Sequence, residues 1–143
     1  MARKRTIPRT RNEASLVKSA YNRLKENPSL HVHFNVPLLG RYADLAYMAD
    51  ESIITVEFKI RDWRRATKQA RDHLLAADFA YVCMPARRLS EEFARILTDT
   101  GVGLLFFKTR GEWPFEIIVE AQKSTEKWSI ASSAVRQFLL NHK

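Results

Sequence analysis

The sequence predicts a mixed α/β fold, a sheet of antiparallel and parallel strands with helices packed on it. Three strand-like runs follow one another with only turn residues between them, at 30–36, 41–48 and 53–60, so they form an antiparallel meander. The unit from 53 to 84 then reads strand, helix, strand, and a right-handed crossover makes its second strand a parallel neighbour of the first. With 143 residues, 45 % of them apolar and 28 % charged, the chain is expected to form one globular domain, 12–143, behind a basic flexible arm, 1–11.

The elements follow in order. Asn12 is a suitable N-cap for a helix reaching Glu26, with Val17, Ala20, Tyr21 and Leu24 as its inward stripe and Asn27-Pro28 as its stop. Leu30, Val32, Phe34 and Val36 alternate with His31, His33 and Asn35, which is the pattern of a half-buried strand. Pro37 and Gly40 supply turn chemistry, and Arg41 to Met48 returns as the second strand. Asp50-Glu51 turns the chain into the third, Ile53 to Ile60. From Asp62 to Ala77 the period changes, with Trp63, Ala66, Ala70, Leu74 and Ala77 recurring at helical spacing. Phe79 to Met84 is a short apolar strand closed by Pro85, and Ser90 to Thr98 is a helix stopped by Gly101. Val102 to Phe107 and Trp113 to Glu120 are strands, the latter at an edge because Pro114 lacks a donor, and Thr125 to Asn141 is a terminal helix. The expected order is αβββαβαββα.

The charge balance narrows the partner. Lys and Arg number 24 against 16 Asp and Glu, a formal charge of +8, which favours a polyanion. Nucleic acid fits better than a membrane, because the basic residues are spread over several elements and no segment reads as an interfacial amphipathic helix. No apolar run approaches a membrane span, and the basic N-terminus lacks the apolar stretch of a signal peptide, so cytoplasmic residence is the expectation. Cys83 has no partner for an internal disulfide and falls in an apolar run, where a buried inert thiol is expected.

The chemistry-bearing pattern is D-x12-E-x-K, formed by Asp44, Glu57 and Lys59. Period two puts Ile54, Val56, Phe58 and Ile60 on one face of the third strand and Glu57 with Lys59 on the other, pointing away from the core. The hairpin brings Asp44 beside them. Two carboxylates next to an ammonium suit metal-dependent phosphodiester hydrolysis, in which acids hold a divalent cation while a lysine addresses a water or a phosphate. Alone the pattern is weak, since acids and lysines are common on solvated strand faces.

With its setting, from Asn12 to Met84, it resembles the PD-(D/E)xK nuclease superfamily, whose restriction endonuclease-like fold has an αβββαβ core. Ala43 stands where the family name has proline, which weakens the motif match more than it threatens the chemistry. The resemblance implies Mg2+ or Mn2+ as cofactor, held by Asp44, Glu57 and the Phe58 backbone carbonyl, with Lys59 orienting or deprotonating the attacking water. It also implies a candidate role for Glu13, which completes the metal shell in the Holliday-junction-resolvase branch. A first-turn glutamate equally favours the helix dipole with no catalytic purpose. Gln69 lies on the helix where several branches place a glutamine facing the site; the alternative is an exposed polar residue.

Arg61, Arg64, Arg65 and Lys68, near the start of that helix, and Arg41 on the second strand are candidates for phosphate contact, against the alternative of a solvated face. Arg3, Lys4, Arg5, Arg9 and Arg11 form the arm, either a solubilising tail or a sequence-independent phosphate contact. His31 and His33 share a strand face, but no second pair with zinc spacing accompanies them. Trp63, Trp113 and Trp128 sit at core-like or edge positions, with base stacking the less favoured reading.

The expected function is a metal-dependent DNA endonuclease, structure-directed in repair or recombination, since the chain is short and has no obvious target-recognition insertion. The alternative is a non-catalytic or complex-dependent nucleic-acid-binding module of the same fold. Small resolvases of the superfamily are homodimers, so a homodimer joined through apolar faces of the C-terminal elements is one arrangement the resemblance implies; protein partners in a larger complex are another.

Overall fold

The computed structural model describes residues 12–141, which form α1 (Glu13–Leu24), β1 (Leu30–Leu38), β2 (Arg41–Ala49), β3 (Ser52–Phe58), α2 (Trp63–His73), β4 (Phe79–Met84), α3 (Glu91–Thr100), β5 (Gly103–Phe107), β6 (Phe115–Val119) and α4 (Ser129–Asn141). The basic arm, with Arg3, Lys4 and Arg5, lies outside the described residues. All six strands join one sheet in the order β1-β2-β3-β4-β5-β6. The first three pair antiparallel, β3-β4 and β4-β5 pair parallel, and β6 returns antiparallel at the edge. Among the described residues no helix is long and apolar enough to cross a membrane.

Three helices begin where a side chain caps the first free amides. The Ser15 N–H donates to Asn12 Oδ1 at 2.8 Å, the Arg65 N–H to Asp62 Oδ1 at 3.2 Å, and the Phe93 N–H to the Ser90 hydroxyl at 3.1 Å. Gly101, at φ 82°, ends α3. On one face of the sheet α1 buries Leu16, Ala20 and Leu24 against Val32, Leu45, Val56 and Phe58. Val17 and Tyr21, expected in that stripe, are only partly buried.

The opposite face is covered by α2, α3 and α4. Trp63, Ala66 and Ala70 of α2 pack with Val82 and Phe93, while Val135 and Leu139 of α4 pack with Val36, Met48 and Ile53. One side of α4 is thus packed inside the fold, while Ile130 and Leu140 of the same helix remain exposed.

Two local expectations are corrected. Pro37 belongs to β1, where it pairs with Tyr42, and the turn is made by Leu39 and Gly40. The terminal helix starts at Ser129, not Thr125. Leu39 and Gly40 have φ of 54° and 80°, the pair of positive values that a two-residue type I′ hairpin needs. Glycine takes this conformation freely, but a leucine there is strained. Asparagine suits the position, so Leu39→Asn is expected to stabilise the fold by about 1 kcal/mol. Thermal unfolding checks it, with Tm expected to rise by about 3 °C.

Candidate active site

β3 is buried on both faces, and this decides the character of the site. Period two correctly separates Ile54, Val56 and Phe58 from Thr55 and Glu57, but α2 covers the second face, so Glu57 is only 5 % exposed. The expectation that Glu57 points away from the core is thus overturned. A solvated strand face and one roofed by a small-residue helix carry the same local pattern.

Asp44 and Glu57 stand opposite each other just beyond the last β2-β3 pair, Leu45 with Val56. There the ladder gives way to an exchange between side chains and backbone. The Asp44 N–H donates to Glu57 Oε2 at 2.9 Å, and the Phe58 N–H donates to Asp44 Oδ2 at 2.8 Å. Each strand's carboxylate holds the other strand's backbone.

Lys59 follows the end of β3 and is anchored by its N–H to the Cys83 carbonyl at 3.1 Å. Its Nζ lies 3.7 Å from Glu13 Oε1, and Glu13 Oε2 accepts from the Ile60 N–H at 3.1 Å. Glu13, Asp44, Glu57, Lys59 and Gln69 line one groove of about 630 Å³ on the α1 side, with Phe58 between the last two strand residues. The fold therefore gathers the central residues that the sequence pattern points to. Among the described residues, however, no three His, Cys, Asp or Glu side chains cluster closely enough to hold a metal ion.

The electrostatics of the pair are unfavourable. Burial, then the Asp44 charge, pushes the Glu57 carboxyl up to about 8, more than the Asp44 amide and Lys59 offset. Asp44 is also raised by burial, against the Phe58 amide and Lys59.

His73, on which the sequence pattern places no emphasis, joins the pair from α2. Its Nε2 lies 3.9 Å from Glu57 Oε2, and burial lowers its pKa to about 4, so the ring is neutral. Its Nδ1 is buried without a hydrogen-bond partner. The signal for it is its position four residues after Gln69, one turn along the same helix face.

The basic candidates divide. Arg41 is exposed and lines a second hollow with Glu57 and Gln69. Arg61, Arg65 and Lys68 are exposed, with Arg65 one turn before Gln69. Arg64 is held on the α3 side, 2.5 Å from Glu92 and 4.4 Å above the Trp63 ring. His31 is exposed and the His33 ring packs edge-on against Phe138 at 5.5 Å.

The raised Glu57 carboxyl has a stability consequence. Between its unfolded value of 4.5 and its folded value of about 8, the folded state holds a proton that the unfolded state has released, so stability falls as pH rises. His73 works in the opposite sense below 6.5 and is neutral in both states above it. In the presence of a chelator, stability should therefore fall between pH 6.5 and 8, by on the order of 1 kcal/mol. Glu57→Gln should remove most of that slope, as read by urea unfolding at the two pH values.

No protein-family model matches the chain, and no curated protein matches it. Among solved structures it is similar to the crystal structure of an XisH family protein from Nostoc punctiforme PCC 73102, with 16 % identity over 74 % of this chain and 98 % of that one and a TM-score of 0.51. A second similar structure is Pyrococcus furiosus SfsA in complex with Ca2+, with 13 % identity over 76 % of this chain and 61 % of that one and a TM-score of 0.39. The XisH family likeness bears on architecture alone: a mixed sheet of six strands flanked by helices, of the restriction endonuclease-like kind.

Proposed function

We propose that the protein is a metal-dependent nuclease that hydrolyses phosphodiester bonds in DNA. The observation that carries this reading is the carboxylate pair of half-buried Asp44 and buried Glu57 where β2 and β3 part, only partly compensated by backbone amides and Lys59 on the same groove. A divalent cation fits this donor set, because two adjacent, desolvated acids, both with raised pKa, are relieved by a positive charge between them. Asp44, Glu57 and the Phe58 carbonyl would hold Mg2+ or Mn2+. The bound cation would lower the pKa of a water and neutralise charge on the phosphoryl oxygens.

The remaining roles belong to the chain. The Lys59 ammonium adds positive charge at the phosphorus under attack and steers the attacking water. Glu13 keeps that ammonium at the rim of the groove. Gln69, one turn from His73, offers its carboxamide to the water or to a phosphate oxygen. Arg41, Arg61, Arg65 and Lys68 supply sequence-independent attraction for the phosphate backbone, together with the arm at 1–11. The role we propose is structure-directed, in repair or recombination.

A second reading has one observation in its favour. Asp44 and Glu57 both accept backbone amides, so they can serve as struts of a non-catalytic nucleic-acid-binding module.

Calorimetry with Mn2+ is expected to show binding to the wild type and none to the protein carrying both Asp44→Ala and Glu57→Ala. Lys59→Ala should leave DNA affinity nearly intact and lower turnover by about two orders of magnitude. Cleavage time courses on plasmid, flap and four-way-junction DNA read this, and near-wild-type activity would return the acids to a strut role.

Neutralising Arg41, Arg61, Arg65 or Lys68 should instead weaken binding to all sequences alike. For every phosphate that a variant no longer touches, the log-log salt dependence should flatten by about one unit. Anisotropy titrations at several salt concentrations check this, and unchanged slopes would make the charge excess a solubility feature.

A further inference from the structure

Beside the groove that holds the acids lies a second hollow of about 400 Å³ on the α4 side of the sheet. The two hollows share Tyr42, Glu57 and Gln69 as walls, so they meet at the place where β2 and β3 part. A group seated at the carboxylate pair on one side is next to whatever occupies the other.

Three properties of the second hollow narrow its occupant. Two large aromatic side chains line it and stay open to solvent, Tyr42 at 66 % and Trp128 at 57 % exposure. Hydrogen-bonding groups accompany them: the Gln69 carboxamide, the Asp72 carboxylate and the Arg41 guanidinium. Its volume lies at the small end of the range for small-molecule sites, so it holds a flat ring and excludes a duplex. Aromatic walls with donors and acceptors around them are what an unstacked nucleobase needs, since every base has a π-face and a polar edge. The formal charge of +8 favours a polyanionic occupant over a second copy of the same chain.

We infer that this hollow receives one unpaired base of a nucleic acid whose phosphate lies at Asp44 and Glu57. The inference rests on the nuclease reading for the position of that phosphate. It names the substrate class of the site: strands with an unpaired nucleotide beside the cut, as in single strands, flaps or junctions, rather than continuous duplex. A base in the duplex stack cannot enter without being extruded, which requires breaking its pairing and stacking. Tyr42 is placed to stack from the shared wall and Trp128 from the far end, while Gln69 and Asp72 meet the polar edge.

The test uses the whole chain and needs no cleavage. Fluorescein-labelled oligothymidylate and a blunt duplex of equal length are titrated by anisotropy, at fixed salt, with wild type, Tyr42→Ala and Trp128→Ala. Both side chains are largely exposed, and thermal melts confirm that the variants fold. Trp128→Ala is expected to weaken oligothymidylate binding about tenfold while leaving duplex binding within about twofold. Oligothymidylate should also quench wild-type tryptophan emission, and the quench should disappear in that variant.

Single-strand affinity unchanged in both variants, or reduced equally for duplex, overturns the inference. A wild-type dimer in sedimentation that Trp128→Ala converts to monomer, with oligothymidylate binding intact, also overturns it and makes the hollow an interface between copies. Failure of the nuclease reading looks different. Wild-type protein that binds single strands through Trp128 yet cleaves nothing with Mg2+ or Mn2+ supports the base site and removes the hydrolytic role.

Discussion

The paired strands β2 and β3 come apart at one level, and two carboxylates fill the break. Past Leu45 and Val56 the backbone partners are replaced by Asp44 and Glu57, each accepting an amide from the other strand. Because the Asp44 and Phe58 amides keep acceptors, the sheet can open there without the loss that an unsatisfied donor brings. The opening is what allows a groove on the α1 side and a hollow on the α4 side to meet. It also fixes the backbone of both acids at opposing positions on paired strands, and the amides they accept orient their carboxyl groups.

Asp78 shows what burial does to an acid when the fold means only to stabilise itself. Its side chain is buried, and burial alone would raise its pKa, but Lys127 at 2.6 Å and the Ile53 amide at 2.8 Å outweigh that and leave it lowered. Glu57 is as inaccessible to solvent but lies deeper and beside the Asp44 charge, and one backbone amide with a partial offset from Lys59 leaves its carboxyl raised to about 8. The fold therefore has the means to satisfy a buried carboxylate and does not use them at Glu57. Perturbed carboxyl groups of this kind concentrate at functional sites, and the contrast favours the reading proposed for Glu57.

The elements that local chemistry controls were legible in the sequence. Asn12 reads as a cap and Asp62 and Ser90 as helix starts, because an N-cap needs only the residues three positions on, and the β2-β3 hairpin with the alternation in β3 places Asp44 by Glu57 and Lys59 because a hairpin register is local. What the sequence hid depends on partners far along the chain. The polar face of β3 looks solvated until α2 lies on it, with Ala66 and Ala70 permitting close approach. His73 reads as one more residue at the end of a helix until that helix docks, when it faces Glu57. Tyr42 and Trp128, 86 positions apart, give no sign in sequence that they line one hollow.

The charge of the whole chain and the charge of its site have opposite signs, and the difference separates attraction from chemistry. Exposed arginines and lysines would attract a polyanion from a distance, an attraction that salt weakens. At the floor of the groove the balance reverses, because the carboxyl groups of Glu13, Asp44 and Glu57 gather around the Lys59 ammonium. The Lys59 Nζ lies 3.7 Å from Glu13 Oε1, and its charge offsets the raised carboxyls of Asp44 and Glu57 only in part. A phosphate brought in by the surface would meet net repulsion at the acids. Only a cation that accompanies it, or a proton on Glu57, makes the last step favourable. In a binding module without catalysis the same acids would act through the Asp44 and Phe58 amides that they accept. On the nuclease reading proposed above, these acids are the groups that a bound cation would need.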